Sequence, residues 1–479
     1  MSDRAWRSLV AACVLAGLAV RIGAVLGRPH LHPAGDAAEY WLISNYVVEG
    51  KGWIEPIVYH GTGVSVPTAK LPPLYTLLLM PCSLLGFKSY FAHRIWSGVL
   101  SASGVLVGAA LGRQVAGRWA GVLTAAGIAL YPNIWMPAEV GLSETVSPIL
   151  AMLVLLAAYR LWCSPGWRRA AVLGVAIGFA TLARDEMVVF AGLILLPLAY
   201  GGRRAGRSWR ERFRLLASGL LGVLVVVSPW VGFNMSRFSR PVFVTDRFGA
   251  TLASANCDTT WHGPLAGYWV QSCAIAAEAG ATGDEPARDA VATRVGLRYL
   301  SAHPGGLPKV ELERLGRTFG LWRVGQQLDF DAFLDGRPRP WVQVGLYCFY
   351  GLAVLAPFGL FRLRREGVLT FPLWAVLGDV VLVVLVTYGQ TRFRATLEPV
   401  LVLLGAVAVG WAARLPFDPG RPLVDCGVAG PVECGVAGPG GGPDGAFRPG
   451  RPATASSPEP SGPRSGPPPA FGPPSASSA

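Results

Sequence analysis

The sequence predicts an all-α, polytopic membrane protein with about ten transmembrane helices. Three observations carry that reading. The 479 residues are 52% hydrophobic and only 15% charged, and the mean hydropathy is +0.42. Apolar runs near the ~20 residues needed to cross a bilayer recur along the chain. Short arginine clusters separate those runs.

A formal net charge of +13 would suggest nucleic acid in a soluble protein. Here most of the excess sits in those arginine clusters, which is a signal of topology. The chain has no zinc-finger spacing and no Walker-type loop, so no nucleic-acid partner is expected.

The first apolar run, about 8–27, follows Arg4 and Arg7. It is long, Arg21 interrupts its far end, and no small-x-small cleavage site follows, so it reads as an uncleaved span. Region 28–90 comes next. It holds Gly35-Asp36-Ala37-Ala38-Glu39-Tyr40, then Lys70-Leu71-Pro72-Pro73-Leu74-Tyr75 and an apolar run to Phe87. Pro72, Pro73 and Pro81 suit an interfacial or re-entrant helix better than a straight span.

The arginines settle the same point. With 71–87 not crossing, later spans fall at about 91–111, 119–136, 145–162, 169–184, 187–201, 213–233, 341–361, 369–389 and 396–413. Sixteen arginines then collect on the cytoplasmic side, six of them (Arg203, Arg204, Arg207, Arg210, Arg212 and Arg214) in one loop. A crossing at 71–87 would flip every later cluster outward. The expected organisation is a membrane module (1–233) with 28–90 as its first outer loop, an extracytoplasmic loop (234–340), C-terminal membrane helices (341–414) and a cytoplasmic tail (415–479).

The outer loop carries twelve basic and eleven acidic residues. Asp284 followed by Pro286 reads as a helix start, with a stop at Pro304. A second helix is expected over about 307–322. Cys257 and Cys273 share this loop and would pair if it is extracytoplasmic. Cys13, Cys82, Cys163 and Cys348 lie in or beside apolar segments and read as packing residues. The tail holds 16 Pro and 13 Gly in its 65 residues and reads as disordered. Its short repeat at Cys426 and Cys434 reads as low-complexity drift.

This topology gathers charge at the outer surface. Asp36, Glu39 and Lys70 come from the first loop, Glu139 and Glu144 from the next turn, and Arg184, Asp185 and Glu186 from a hairpin tip. Arg392, Arg394 and Glu398 join them from the last turn. Ionisable groups at membrane depth are costly and usually serve a pathway, a partner or chemistry. A lipid-phosphate-linked sugar would use both signs. Its phosphate wants arginine or lysine, and an acceptor hydroxyl wants a carboxylate base. Asp36 is the candidate base, with Glu39 orienting the acceptor or shifting Asp36's protonation. Lys70, Arg184, Arg392 and Arg394 are the candidate phosphate contacts. Each has a plainer reading too: headgroup anchoring for Arg392 and Arg394, local pairing for Arg184, snorkelling for Lys70, helix capping for Glu144.

Taken in order, these pieces resemble the GT-C superfamily of polyprenyl-phosphate-sugar glycosyltransferases. The bacterial branch related to protein O-mannosyltransferases and aminoarabinose transferases is most similar. The resemblance covers about 8–414. It rests on Gly35-Asp36-Ala37-Ala38-Glu39-Tyr40, Lys70 to Tyr75, Arg94, Tyr131-Pro132 with Ser143-Glu144, Leu182-Ala183-Arg184-Asp185-Glu186, Pro229-Trp230 with Asn234, and Arg392-Phe393-Arg394 with Glu398-Pro399. It implies inverting transfer from a polyprenyl-phosphate sugar on the extracytoplasmic face. It also implies Asp36 as base and Glu144 as the second acid. Two departures stand out: Leu71 separates Lys70 from the prolines, and Asp185 follows Arg184 where the family usually has proline.

The expected partners are a polyprenyl-phosphate-linked sugar, membrane lipid, and a protein, glycolipid or cell-wall glycan acceptor. No cofactor is expected; a divalent metal is possible but not required by the sequence. The expected location is the cell membrane, with both termini cytoplasmic. A polysaccharide ligase or polymerase acting on lipid-linked glycans is the alternative enzyme. A transporter or a scaffold is the non-enzymatic one, although no repeat of the spans is present.

Overall fold

The computed structural model describes residues 1–201 and 208–418. Arg203, Arg204 and Arg207, the Cys426/Cys434 repeat and all but the start of the proline-rich tail lie outside the described residues. Within them the chain is helical, with one isolated antiparallel bridge between Ile54 and Pro67.

Helix α1 (Asp3–Gly27) leads to α2 (Gly35–Val48) and α3 (Pro73–Leu84) in the first loop. Then come α4 (Tyr90–Ala116), α5 (Arg118–Leu130), α6 (Pro132–Val140), α7 (Ser147–Cys163), α8 (Trp167–Ala183) and α9 (Trp209–Met235). The outer loop supplies α10 (Phe248–Ala255), α11 (Glu285–Ala302), α12 (Leu307–Thr318) and α13 (Val324–Phe333). Helices α14 (Arg339–Arg365), α15 (Phe371–Val386) and α16 (Glu398–Ala412) complete the described chain.

Five segments are long and apolar enough to cross a bilayer: Asp3–Gly27, Tyr90–Ala116, Ser143–Cys163, Trp209–Met235 and Arg339–Arg365. The other expected spans are shorter helices. The one expected over 187–201 is irregular, running from a tight turn (Asp185–Val189) through a wide one (Ala191–Leu195) into Leu196–Tyr200. Pro197 falls in the first turn of that last piece, where a missing N–H is tolerated. Helix α3 has twelve residues, about 18 Å at the usual helical rise, against a hydrocarbon core of about 30 Å.

Leu15, Leu221, Leu224, Val225, Val354 and Phe358 are all exposed on α1, α9 and α14. Exposed apolar stripes on long apolar helices are what lipid covers. Cys348 is also exposed, on α14, so it is not the packing residue the sequence suggested. Between helices, small residues permit close approach. A Cβ on Gly174 of α8 would sit 1.8 Å from the Gly219 carbonyl of α9. Arg21 is fully buried, and its guanidinium donates to the Ile128 and Ala129 carbonyls and to Ser101. It thus satisfies carbonyls that the end of α5 leaves free.

In the outer loop, Asp284 caps α11 by accepting from the Ala287 N–H, and the helix ends before Pro304, as the sequence predicts. Helix α12 stops at Thr318, before the expected Trp322, because Gly320 turns the chain through φ +69°. Cys257 and Cys273 form a disulfide.

Candidate active site

Asp36 lies in the first turn of α2, where the helix dipole favours a carboxylate. Glu39 sits one turn on, on the same face. Tyr40 and Ile43 continue the same face of α2 and pack it against Tyr75 and Leu79 of α3, with the Tyr40 and Tyr75 rings 5.0 Å apart. The first loop therefore holds its acids on a packed helix.

Arg392 binds both ends of the candidate acid set. It lies in the tight turn Thr391–Thr396 between α15 and α16. Its Nη2 donates to Asp36 Oδ2 at 2.8 Å, and its Nε donates to Glu144 Oε1 at 2.6 Å. Glu144 lies in the turn Ser143–Thr145 and is 1% exposed. Arg184 Nη1 also donates to it, at 2.7 Å. Arg184 binds Glu186 as well. Glu144 thus bridges two arginines and caps no helix end.

The other Asp36 oxygen accepts from Arg247 Nη1 at 3.2 Å. Arg247 belongs to the outer loop, and backbone contacts hold it there. The Asp246 N–H donates to the Ala69 carbonyl at 3.2 Å. The Ala69 N–H in turn donates to Glu285 of α11 at 2.9 Å. Trp230 Nε1 donates to the Val244 carbonyl at 2.8 Å.

Lys70 pairs with Glu55 at 2.9 Å and lies 3.8 Å from Glu39. Glu39 Oε2 is buried without a hydrogen bond. Arg394 sits apart from this cluster. It binds Glu398 at 3.2 Å, and its guanidinium lies 3.9 Å from the Phe349 ring centre. Glu139 is engaged elsewhere, by Arg28 at 2.9 Å.

These pairings set the charge states. Burial raises the Asp36 carboxyl, but Arg392 and Arg247 outweigh it and hold the group well below the usual carboxylate range. Burial pushes Glu39 up to about 7 despite Lys70, and the Asp36 charge adds to the rise. Burial works against the Lys70 ammonium, yet Glu39 and Glu55 leave it raised. Among the described residues no three His, Cys, Asp or Glu side chains are grouped as a metal site. Between Asp36 and Glu144 the bridging cation is a guanidinium.

The structure thus brings together Asp36, Glu144, Arg184 and Arg392, with Glu39 and Lys70 alongside and Arg394 separate. Sequence reasoning missed Arg247, and also Asp335, whose Oδ1 is 3.9 Å from Arg392 Nη1. Both lie in the outer loop, where balanced charge and short helices single out no position.

Residues 70–233 match the family profile of dolichyl-phosphate-mannose-protein mannosyltransferase. Among solved structures, the chain is similar to the archaeal oligosaccharyltransferase AglB from Archaeoglobus fulgidus in complex with an inhibitory peptide and a dolichol-phosphate. Identity is 16% and the TM-score 0.52, over 85% of this chain and 50% of AglB.

The chain has the fold of the archaeal oligosaccharyltransferase AglB.

A second structure of the Archaeoglobus fulgidus enzyme, the apo form, gives a TM-score of 0.51 at 14% identity, over 86% of this chain and 51% of that one. The chain spans about half the length of these oligosaccharyltransferase structures. ArnT from Cupriavidus metallidurans bound to undecaprenyl phosphate gives a TM-score of only 0.36 at 16% identity, over 86% of this chain and 79% of ArnT; that overlap adds nothing to the assignment. No curated protein sequence matches the chain. The family match begins at Lys70, so Asp36 and Glu39 lie outside it.

Proposed function

We propose that this chain is an integral membrane glycosyltransferase. It transfers a sugar from a polyprenyl-phosphate donor to a hydroxyl acceptor on the extracytoplasmic face, with inversion. The observation that carries the reading is the Arg392 bridge between Asp36 and Glu144. An arginine shared by two acids from two separate loops is costly to bury. It repays that cost when a phosphate arrives to take part of the guanidinium.

The donor phosphate meets Arg392 and Arg247, with Lys70 beside them. Arg184 stays behind Glu144 and holds it in line. As the phosphate takes up Arg392 and Arg247, Asp36 loses the two contacts that keep it acidic, and its basicity rises. The acceptor hydroxyl gives its proton to Asp36 while its oxygen bonds to the anomeric carbon. The bond from that carbon to the phosphate oxygen breaks, and polyprenyl phosphate leaves with its charge held by the arginines. Attack opposite the leaving group inverts the anomeric centre. Arg394, already neutralised by Glu398, has no part in holding the phosphate.

The family profile, named for a dolichyl-phosphate-mannose donor, supports a lipid-phosphate donor. The Cys257–Cys273 disulfide supports an oxidising compartment for the outer loop. The membrane spans support a multi-pass protein of the cell membrane, with both termini cytoplasmic by the arginine distribution.

The test is transfer of radiolabelled sugar from a panel of polyprenyl-phosphate donors in membranes, comparing wild type with Asp36→Asn. Labelled product with wild type and none with the variant, at equal expression, is the expected result. Transfer by both would remove Asp36 as the base. No transfer from any donor, with acceptor-containing membranes supplied, would overturn the reading.

A further inference from the structure

Residues 244–247 of the outer loop meet a different part of the molecule at each position. The Val244 carbonyl accepts from Trp230 Nε1 of α9 at 2.8 Å. The Thr245 hydroxyl donates to Asp185 Oδ2 at 2.6 Å. The Asp246 N–H donates to the Ala69 carbonyl of the first loop at 3.2 Å. Arg247 Nη1 donates to Asp36 Oδ1, also at 3.2 Å.

These contacts differ in what they ask of the sequence. Val244 and Asp246 use backbone groups that almost any residue supplies there. Thr245 needs its own hydroxyl and an acceptor opposite it. A hydroxyl that meets a carboxylate at this distance makes a hydrogen bond of the stronger class. Arg247 depends on such support. Its side chain is long and 38% exposed, and among the described residues its one ion pair is with Asp36. A flexible side chain held at one end reaches its target only if its backbone is fixed at the other.

The acceptor is placed with equal economy. Asp185 follows Arg184, which is extended at φ −150° and ψ 116°. Consecutive side chains of extended backbone point opposite ways. Arg184 turns to Glu144 at 2.7 Å, and Asp185 turns to Thr245. Glu144 holds Arg392, which holds Asp36 Oδ2. Thr245 lies two residues before Arg247, which holds Asp36 Oδ1. Both guanidiniums on Asp36 are therefore referenced to neighbouring residues of one turn.

We propose that Asp185 and Thr245 are positioning residues, whose hydrogen bond fixes the strap 244–247 so that Arg247 reaches Asp36. Neither residue touches the reacting groups. The inference rests on the transferase reading for the use of Arg247 and goes beyond it by giving the hairpin tip a task.

The test pairs hydrogen-exchange mass spectrometry with binding of undecaprenyl phosphate, both on the full chain in lipid nanodiscs. Thr245→Val keeps the shape and removes the hydroxyl, Asp185→Ala removes the acceptor, and Thr245→Ser keeps the hydroxyl. Thermal melting shows which variants are folded, and Thr245→Val, the near-isosteric one, carries the test if Asp185→Ala does not fold. The amides of 244–247 should exchange about tenfold faster in Thr245→Val and Asp185→Ala, and undecaprenyl phosphate should bind about tenfold more weakly, the effect of one lost hydrogen bond. Thr245→Ser should match wild type in both. Because the effect on binding runs through Arg247, Thr245→Val should weaken binding by less than about twofold when added to Arg247→Gln. Exchange unchanged in the folded variants, or a full tenfold further loss on the Arg247→Gln background, would overturn the proposal. Faster exchange in the variants of a protein that binds no undecaprenyl phosphate would keep the strap and sink the transferase reading. Binding and sugar transfer that neither variant alters would keep the transferase reading and overturn the positioning role.

Discussion

Arg392 lies 2.8 Å from Asp36, although 356 residues separate them in the chain. The same guanidinium reaches Glu144 through a different nitrogen. Only a planar, forked cation makes both contacts at fixed geometry. Arg392→Lys keeps the charge and loses the fork. Transfer should fall by roughly 10²–10³ in kcat, the scale of losing one aimed electrostatic contact. Initial rates at saturating donor check this. A lysine variant within a few-fold of wild type would show that charge alone suffices.

Glu39 gives a pH signature. Its carboxyl is pushed up to about 7, first by burial. It is therefore largely protonated below that pH and ionised above it. Once ionised it competes with the donor phosphate for Lys70, 3.8 Å away. KM for the donor should rise as pH climbs through about 7, and Glu39→Gln should flatten that rise. The stability effect has the same direction. A carboxyl whose folded pKa lies above its unfolded value costs stability as pH rises between the two. Melting temperature should therefore drop across that window in wild type and less in Glu39→Gln.

The guanidinium bridge also bears on metals. Arg392 fills the position between Asp36 and Glu144 where a divalent ion would otherwise join two acids. Transfer should then survive treatment of washed membranes with a chelator, with product formation within about twofold of the untreated rate. That margin is under half a kcal/mol. Loss of activity restored by added manganese or magnesium would contradict this.

Parts of this site are legible in the sequence and parts are not. Asp36 and Glu39 stand out because their spacing is local and they follow the first apolar span almost at once. Arg392 and Glu144 stand out because the topology places them at the outer ends of apolar runs, where an ionisable group at membrane depth is costly. Helix α11 announces itself through Asp284, Pro286 and Pro304. Arg247 gives no such signal. It reaches Asp36 across 211 positions, through the backbone pairing of Asp246 with Ala69, and no local pattern encodes that pairing. Arg394 misleads for the opposite reason. It looks like a twin of Arg392 two residues away, yet the tight turn sends it to Glu398 and Phe349. The length of a span is also poorly encoded: the apolar run at 187–201 holds only five residues of regular helix, Leu196–Tyr200.

Arg247 offers the last test, because it ties the outer loop to the chemistry. It holds Asp36 Oδ1, and no expected phosphate contact in the membrane module replaces it there. Arg247→Gln keeps a donor at that place and removes the charge. Asp36 would then keep only Arg392, so its carboxyl should rise toward its ordinary range. The donor phosphate would lose one cation. KM for the donor should increase about tenfold, matching the loss of a single charge-assisted hydrogen bond, while kcat changes less. Cys257→Ser should produce a weaker form of the same effect, since the disulfide constrains the loop that carries Arg247 without touching the reacting groups. Donor-saturation curves for the two variants check both statements. A fall in kcat with unchanged KM in Arg247→Gln would move Arg247 from donor binding to the transfer step itself.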